Sequence, residues 1–442
     1  MKKNETYIAE CLGYNIDGYG VVRIDDFVVF VPNLMKHEKA EIALTRVNKT
    51  YGYGRVVNIL EPSENRVEAV CAVHKQCGGC QLQHMNDIEQ QSFKEDIVRD
   101  CFRQNAKMDI DLEPLVSTKE KYHYRNKAQV PVQLKDGKTL MGFYRNRTNE
   151  IIPYDTCAVQ SDLSNAIVNF CKKEFEKLSC TKQIRHVLIK HAHVRDEAMV
   201  CLVVNTYPIN NQEKLIQDLL KEFSNIKSIV AILNKRSDNV ILDGKEYVLY
   251  GNSYIEEELM GKVFEIHAKS FFQINPYTTP LLYQKAIDNA ALTGNEVVVD
   301  LYCGTGTIGI LCANHAKKVY GIEIVSDAIV DAKRNAEKNN IENIEFLNMD
   351  AQKGAQALLR SKIKVDVVIV DPPRKGCSPE TINAIKKINP KRIVYVSCNP
   401  ATLARDVQLL QDEYSLENIQ PFDMFPQTTH VEAIVLLYRA EC

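Results

Sequence analysis

Five short segments in the C-terminal third of the chain carry residue types that could do chemistry together. The run Asp300-Leu301-Tyr302-Cys303-Gly304-Thr305-Gly306-Thr307-Ile308-Gly309 is a G-x-G-x-x-G match. Its glycines would let the backbone approach a ligand, and Glu323, closing the next apolar run, could accept two ribose hydroxyls. That pair serves a nucleotide-dependent dehydrogenase and a nucleoside-sulfonium methyltransferase equally well. Asp350 follows the third apolar run, where it could accept hydrogen bonds from an adenine amino group. Asp371-Pro372-Pro373-Arg374 follows the fourth and would hold a carboxylate on a rigid turn. Nicotinamide chemistry needs no such feature, whereas methyl transfer to a planar base must hold the base edge and the methyl donor together.

The fifth segment is Ser397-Cys398-Asn399-Pro400, ahead of a helical run to about Leu410. Asn399 is a plausible N-cap and Pro400 suits the first turn, so the Cys398 sulfur would lie near a helix N-terminus. Such a position lowers a thiol pKa and favours the thiolate, whereas a buried apolar cysteine would be inert. A thiolate beside a methyl donor makes sense when the atom to be methylated is not itself nucleophilic, and carbon 5 of a uracil is such an atom. Attack of Cys398 on carbon 6 would activate carbon 5. A base must then remove the carbon 5 proton; Glu432, in Thr429-His430-Val431-Glu432, is the first candidate and His430 the second.

Cysteines form another constellation. Cys71-x5-Cys77-Gly78-Gly79-Cys80 is spaced for one metal centre, and Cys157 could supply a fourth ligand from far along the chain. Four thiolates make an iron-sulfur site or a structural zinc site, and the spacing leaves both open. The chain has 14 Cys in 442 residues and no segment resembling a secretion signal, so an intracellular protein without a disulfide framework is expected. Composition excludes a disordered or collagenous protein: 45% of residues are hydrophobic and 25% charged. With Lys plus Arg at 55 and Asp plus Glu at 57, a nucleic-acid surface would have to be local.

The elements that must position these residues are readable. Residues 1 to about 60 form five short alternating runs with turn signals, which predicts a small antiparallel β-barrel of a kind that often binds oligonucleotides. A helix is expected over Asn86 to Phe102. From Lys119 to Glu150 eight Lys or Arg stand against three acids. Tyr122, Tyr124, Phe143 and Tyr144 are interleaved with them, which would suit phosphate contacts and base stacking. From Gly294 strand and helix alternate strictly, predicting a doubly wound parallel sheet with ligands at its strands' carboxyl ends. The expected division is 1–60 barrel, 61–265 central RNA-binding domain with the Cys cluster, and 266–442 catalytic domain.

The combination DLYCGTGTIG, Glu323, DPPRKG, SCNP and THVEAI closely resembles the RNA uracil-5 methyltransferase family, over nearly the whole chain. Ser270-Phe271-Phe272-Gln273-Ile274-Asn275 is similar to that family's lead-in to its catalytic domain. The N-terminal segment resembles a TRAM domain, and the cysteine pattern resembles the 4Fe-4S site of the 23S ribosomal RNA branch. The resemblance implies a multidomain α/β protein with a Rossmann-like methyltransferase domain. It implies that Gln273, Tyr302, Glu323 and Asp371 contact S-adenosylmethionine, with Thr307 and Asp350 as lesser contacts, that Cys398 is the nucleophile, and that Glu432 is the base. It further implies that Cys71, Cys77, Cys80 and Cys157 hold a 4Fe-4S cluster, which favours iron over zinc. The implied methyl acceptors are uridines of 23S ribosomal RNA, at positions 1939 and/or 747, each flipped from a bound loop into the cleft. A cytoplasmic monomer with no membrane and no obligatory protein partner is expected. The rival readings are a transfer RNA uridine methyltransferase, a nicotinamide oxidoreductase and a non-catalytic RNA-binding ribosome-assembly factor.

Overall fold

Apolar residues alternate inward along the first strands and close them on themselves. The strands are β1 (Thr6–Tyr14), β2 (Gly20–Ile24), β3 (Phe27–Val31), β4 (Lys39–Val47) and β5 (Tyr51–Glu61). They form a closed barrel in the order β1-β2-β3-β5-β4, around Cys11, Val22, Val29, Val31, Ile42 and Leu44. Closure leaves no unpaired edge, and the expected N-terminal barrel is present, antiparallel except where β3 and β5 pair in parallel. The computed structural model describes residues 1–440. The barrel belongs to a first compact unit of Met1–Ile97, Phe143–Ile152 and Phe425–His430; the second comprises Val98–Gly142, Pro153–Met424 and the described residues from Val431 onward. The expected helix is α1 (Asp87–Cys101), followed by a single π-helical turn over Phe102–Ala106.

The second unit holds two large sheets. Its first uses β6 (Lys127–Lys135), most of β7 (Lys138–Tyr144), β9 (Ile184–Ala192), β10 (Glu197–Val204), β11 (Ile226–Leu233) and β12 (Lys245–Gly251); the short β8 (Ile151–Pro153) falls mainly in the first unit. The order runs β12-β11-β10-β9-β6-β7. Helices α2 (Asp162–Lys177) and α3 (Gln212–Glu222) pack on it. A hairpin, β13 (Tyr254–Leu259) and β14 (Lys262–His267), leads to the second sheet.

That sheet alternates as the sequence predicts: α4 (Thr279–Ala290), β15 (Val297–Leu301), α5 (Thr307–Ala313), β16 (Lys318–Glu323), α6 (Ser326–Lys338), β17 (Ile344–Asn348), α7 (Ala351–Arg360), β18 (Val367–Val370), α8 (Pro379–Ile388), β19 (Arg392–Ser397) and α9 (Pro400–Leu410). The order is β17-β16-β15-β18-β19-β21-β20, where β20 is Tyr414–Phe422 and β21 is Glu432–Arg439. Five strands are parallel, but β21 runs antiparallel to β19 and β20 antiparallel to β21. The expectation of a wholly parallel sheet therefore fails at this edge: β20 and β21 are joined by a loop, without the helix that a parallel crossover needs. The reversal brings the first residue of β21 to the carboxyl ends of the parallel strands. No helix among the described residues is long and apolar enough to cross a membrane.

Candidate active site

Strand order reverses between β15 and β18, which opens a crevice at their carboxyl ends. The β15–α5 turn lines it. Tyr302 adopts φ 64°, Gly304 φ 53° and Gly306 φ 81°. A side chain at Gly304 would point into open space, whereas a Cβ at Gly306 would stand 2.9 Å from the Phe346 ring. Gly306→Ala combines left-handed backbone with overpacking, so urea unfolding should show a loss of about 2 to 3 kcal/mol.

Next to this turn lies a cavity of about 600 Å³, walled by Gly304, Thr305, Glu323, Ser270, Phe271 and Arg334 among others. Glu323 ends β16, and its carboxylate accepts the N–H groups of Gly304 (3.2 Å) and Val325 (2.9 Å). Those bonds fix an acceptor pair on the cavity wall. Asp300 is buried, with one oxygen accepting the Gly309 N–H at 2.9 Å and the other, Oδ1, lacking a partner. Burial, then Asp371 and Glu323, push its carboxyl up to about 8. A glycine cradle beside the acceptor pair of one fixed carboxylate fits the ribose of a nucleoside.

Of the six residues expected at the cofactor, Glu323 alone lines this cavity. Gln273 is buried, its carbonyl accepting from Asn126 Nδ2 at 3.0 Å and its side chain hydrogen-bonded to Tyr283. The Tyr302 hydroxyl lies 3.5 Å from Thr381 Oγ1. Asp350 caps α7 through the Gln352 N–H at 2.9 Å, and Thr307 is buried with its hydroxyl 3.4 Å from that of Thr305. The lead-in segment is held by Lys190 of β9, a buried lysine whose Nζ donates to the carbonyls of His267 and Ser270, both at 2.6 Å. No sequence signal marked Lys190.

Cys398 and Glu432 are brought together by strand register. Ser397 of β19 pairs with Ala433 of β21, so the residues one step beyond, Cys398 and Glu432, face each other. Asn399 caps α9 by accepting the Ala401 N–H at 3.1 Å, and Pro400 opens the helix, as expected. Asn399 Nδ2 and Thr402 Oγ1 donate to the Arg374 carbonyl at 2.9 and 3.3 Å, tying the Asp371-Pro372-Pro373-Arg374 turn to the cysteine turn. Glu432 is 3% exposed. Burial first, then Asp371, push it up to about 8, with Arg374 opposing. Burial alone pushes Asp371 up to about 7. Tyr283 of α4 is also buried; after burial, Asp371, Glu432 and Asp300 all raise its phenol. Sequence reasoning missed Tyr283, because nothing in its helix marks it.

One expectation is reversed. A helix N-terminus should lower the Cys398 thiol, yet burial, then Glu432 and Asp371, push it up to about 11, with Arg374 opposing. Burial, with two carboxylates in the same crevice adding to it, outweighs the partial charge of a helix end. The site can therefore protonate its carboxylates at neutral pH, and it gains thiolate and free base as pH rises. If Cys398 and Glu432 act as nucleophile and base, single-turnover rates should climb continuously from pH 6 to 9 without falling on the alkaline side.

The remaining candidates are more scattered. Cys71, Cys77 and Cys80 are half-buried in the irregular segment after the barrel, where Gly79 N–H donates to Cys77 Sγ at 3.3 Å. Cys157 lies in the second unit, its N–H donating to Asn165 Oδ1 at 2.9 Å. Among the described residues no group of three or more His, Cys, Asp or Glu is gathered so as to hold a metal ion. The expected metal set is thus not displayed among the described residues: its first three thiols sit on a loop outside any named strand or helix, tied down at Cys77 by a bridge to Arg145 and at Gly78 by its N–H to the Tyr144 carbonyl at 3.0 Å. Tyr124 is 1% exposed, so its ring is packing and not a stacking platform; Tyr144 is exposed.

This arrangement has counterparts among known proteins. A family model described as tRNA (uracil-5-)-methyltransferase matches residues 88–440. The chain is 42% identical to an uncharacterized RNA methyltransferase of Clostridium acetobutylicum, across 100% of this chain and 98% of that one. It is 40% identical to one of Halalkalibacterium halodurans, across 99% and 98%. The crystal structure of the Pyrococcus abyssi tRNA (uracil-54, C5)-methyltransferase in complex with S-adenosyl-L-homocysteine is similar, with a TM-score of 0.76 and 27% identity over 97% of this chain and 99% of that one.

Proposed function

We propose, from the premise that this chain belongs to the tRNA (uracil-5-)-methyltransferase family, that it methylates carbon 5 of uridine in 23S ribosomal RNA, at position 1939 and/or 747. The observation that carries the chemistry is the register that sets Cys398 opposite Glu432, with Asp371 and Arg374 acting on both. Gln273, Tyr302, Glu323 and Asp371, with Thr307 and Asp350 as lesser contacts, would hold S-adenosylmethionine, which when bound would supply the methyl group and leave as the neutral thioether S-adenosylhomocysteine. The uridine enters the crevice flipped out of its stack. Deprotonated Cys398 Sγ bonds to carbon 6, and the electron pair of the 5,6 double bond becomes available at carbon 5 to take the methyl group. Glu432 then removes the carbon 5 proton, the double bond re-forms, and the bond to Sγ breaks with the thiolate as leaving group.

The division into 1–60, 61–265 and 266–442 is part of this reading, with the barrel as a TRAM domain and the middle segment facing RNA in a cytoplasmic monomer. So is a 4Fe-4S cluster on Cys71, Cys77, Cys80 and Cys157, which takes no step in the reaction. Iron and acid-labile sulfide analysis of anaerobically purified protein tests it. About four irons per chain support it, whereas stoichiometric zinc or no metal removes it.

Transfer RNA is the second reading, favoured by the description of the family and by the substrate of the Pyrococcus abyssi enzyme. Nucleoside mapping by mass spectrometry of 23S and transfer RNA, from cells with and without the gene, separates the two. Loss of 5-methyluridine at one or two 23S positions supports the first reading; loss from transfer RNA alone supports the second.

A further inference from the structure

We propose that the end of the β6–β12 sheet remote from the crevice is a phosphodiester docking groove for RNA flanking the target nucleotide, an inference that rests on the RNA methyltransferase reading. A cavity of about 600 Å³ opens there, walled by Lys182, Arg185, Lys235 and Arg236 with the amides Gln133, Asn205 and Asn234, and by no carboxylate. Its floor is preorganised. Asn234 Nδ2 donates to the carbonyls of Val240 and Ile241, both at 2.8 Å, and its Oδ1 accepts the Arg236 N–H at 2.8 Å. Arg185 donates to the carbonyls of Arg236 (2.6 Å) and Asp238; it makes no ion pair among the described residues, although its charge acts on the Asp238 carboxylate. Arg236 is the exception, paired with Asp238 and Asp243.

Lys182 and Lys235 are exposed and take part in no ion pair among the described residues. Two unpaired lysines beside the Arg185 guanidinium, in a groove with no carboxylate on its wall, suit successive phosphates, contacts that position RNA without reading its sequence. The place in the fold matters too. β9 begins at this groove with Ile184, and Lys190, which holds the lead-in segment, lies six residues on, about 20 Å along the strand. RNA seated here lies about 20 Å from the lead-in segment, and so is flanking backbone and not the flipped nucleotide.

The test is the full-length Lys182→Glu/Lys235→Glu double variant, with Lys172→Glu/Lys173→Glu as control. The control lysines line a separate cavity that also contains Asp155 and Glu176. With 23S and transfer RNA fragments in fluorescence anisotropy, the groove variant should bind at least about tenfold more weakly. The slope of log affinity against log salt should fall in magnitude by about 1.4 to 1.8, as expected for two lost phosphate contacts. KM for RNA should rise while kcat at saturating RNA and KM for S-adenosylmethionine stay unchanged, and the control should match wild type. Wild-type affinity and salt slope in the groove variant, or an equal loss in the control, overturn the groove alone. Wild-type protein that neither binds nor methylates RNA would instead overturn the reading on which it rests.

Discussion

Replacing Cys398 by Ala is expected to abolish methyl transfer, by about 10⁴-fold or more, while RNA and S-adenosylmethionine still bind. Carbon 5 of uracil becomes nucleophilic only when a group adds at carbon 6, and in the β19–α9 turn Cys398 is the residue whose side chain can add there. The turn itself does not depend on the sulfur: Asn399 caps α9 and binds the Arg374 carbonyl through its own side chain. Removing one half-buried sulfur should cost about 1 kcal/mol, so a folded, binding-competent and inactive protein is the expected product. Thermal unfolding, anisotropy and a single-turnover assay on one preparation check all three. Activity within tenfold of wild type would rule out covalent catalysis through this residue.

Changing Glu432 to Gln is expected to stop the reaction after the carbon–sulfur bond has formed. Glutamine keeps the shape but cannot take the carbon 5 proton, so Cys398 cannot leave and a methylated protein–RNA adduct should accumulate. Turnover should fall by about 10² to 10⁴-fold. A retarded band on a denaturing gel, dependent on S-adenosylmethionine and absent with Cys398→Ala, would display it; a variant that turns over slowly without an adduct would assign the base to another group. The stability consequence has the opposite sign. Burial raises the folded-state pKa of Glu432 to about 8, above the ordinary value of about 4.3. Between those values the folded protein keeps a proton that the unfolded chain has released, so this group lowers stability as pH rises from about 4.3 to 8. Glu432→Gln should therefore be more stable relative to wild type at pH 9 than at pH 5, measured by denaturant titration.

How much of this was legible depends on where each residue's neighbours lie in the chain. The strands β15 to β19 are apolar runs followed by turn residues, so their order of alternation and the chemistry at their carboxyl ends could be read directly. β20 could not: Tyr414–Phe422 carries Glu417, Asn418, Gln420 and Pro421, a poor strand pattern, and it is a strand because β21 offers it a partner. A motif could suggest a role for Glu432, but only the hairpin puts that residue opposite Cys398. The same limit explains the Cys398 reversal. Its helix N-terminus is local and visible, whereas the burial that dominates, and the Asp371 and Glu432 carboxylates that add to it, come from distant parts of the chain. Tyr283 and Lys190 were invisible for that reason also: Lys190 meets its carbonyl partners 77 and 80 residues later in the chain. The four cysteines were the most conspicuous pattern in the first half, yet spacing on an irregular segment specifies a reach and not a geometry.

The most direct measurement uses purified protein, S-adenosylmethionine and a uridine-containing RNA substrate deuterated at carbon 5, with the product nucleosides weighed by mass spectrometry. Methyl transfer to carbon 5 requires that atom to lose its hydrogen, so the expected product is 5-methyluridine that has gained a methyl group and lost the deuterium. A methylated uridine that retains the deuterium would place the methyl group on nitrogen or ribose and contradict the roles given to Cys398 and Glu432.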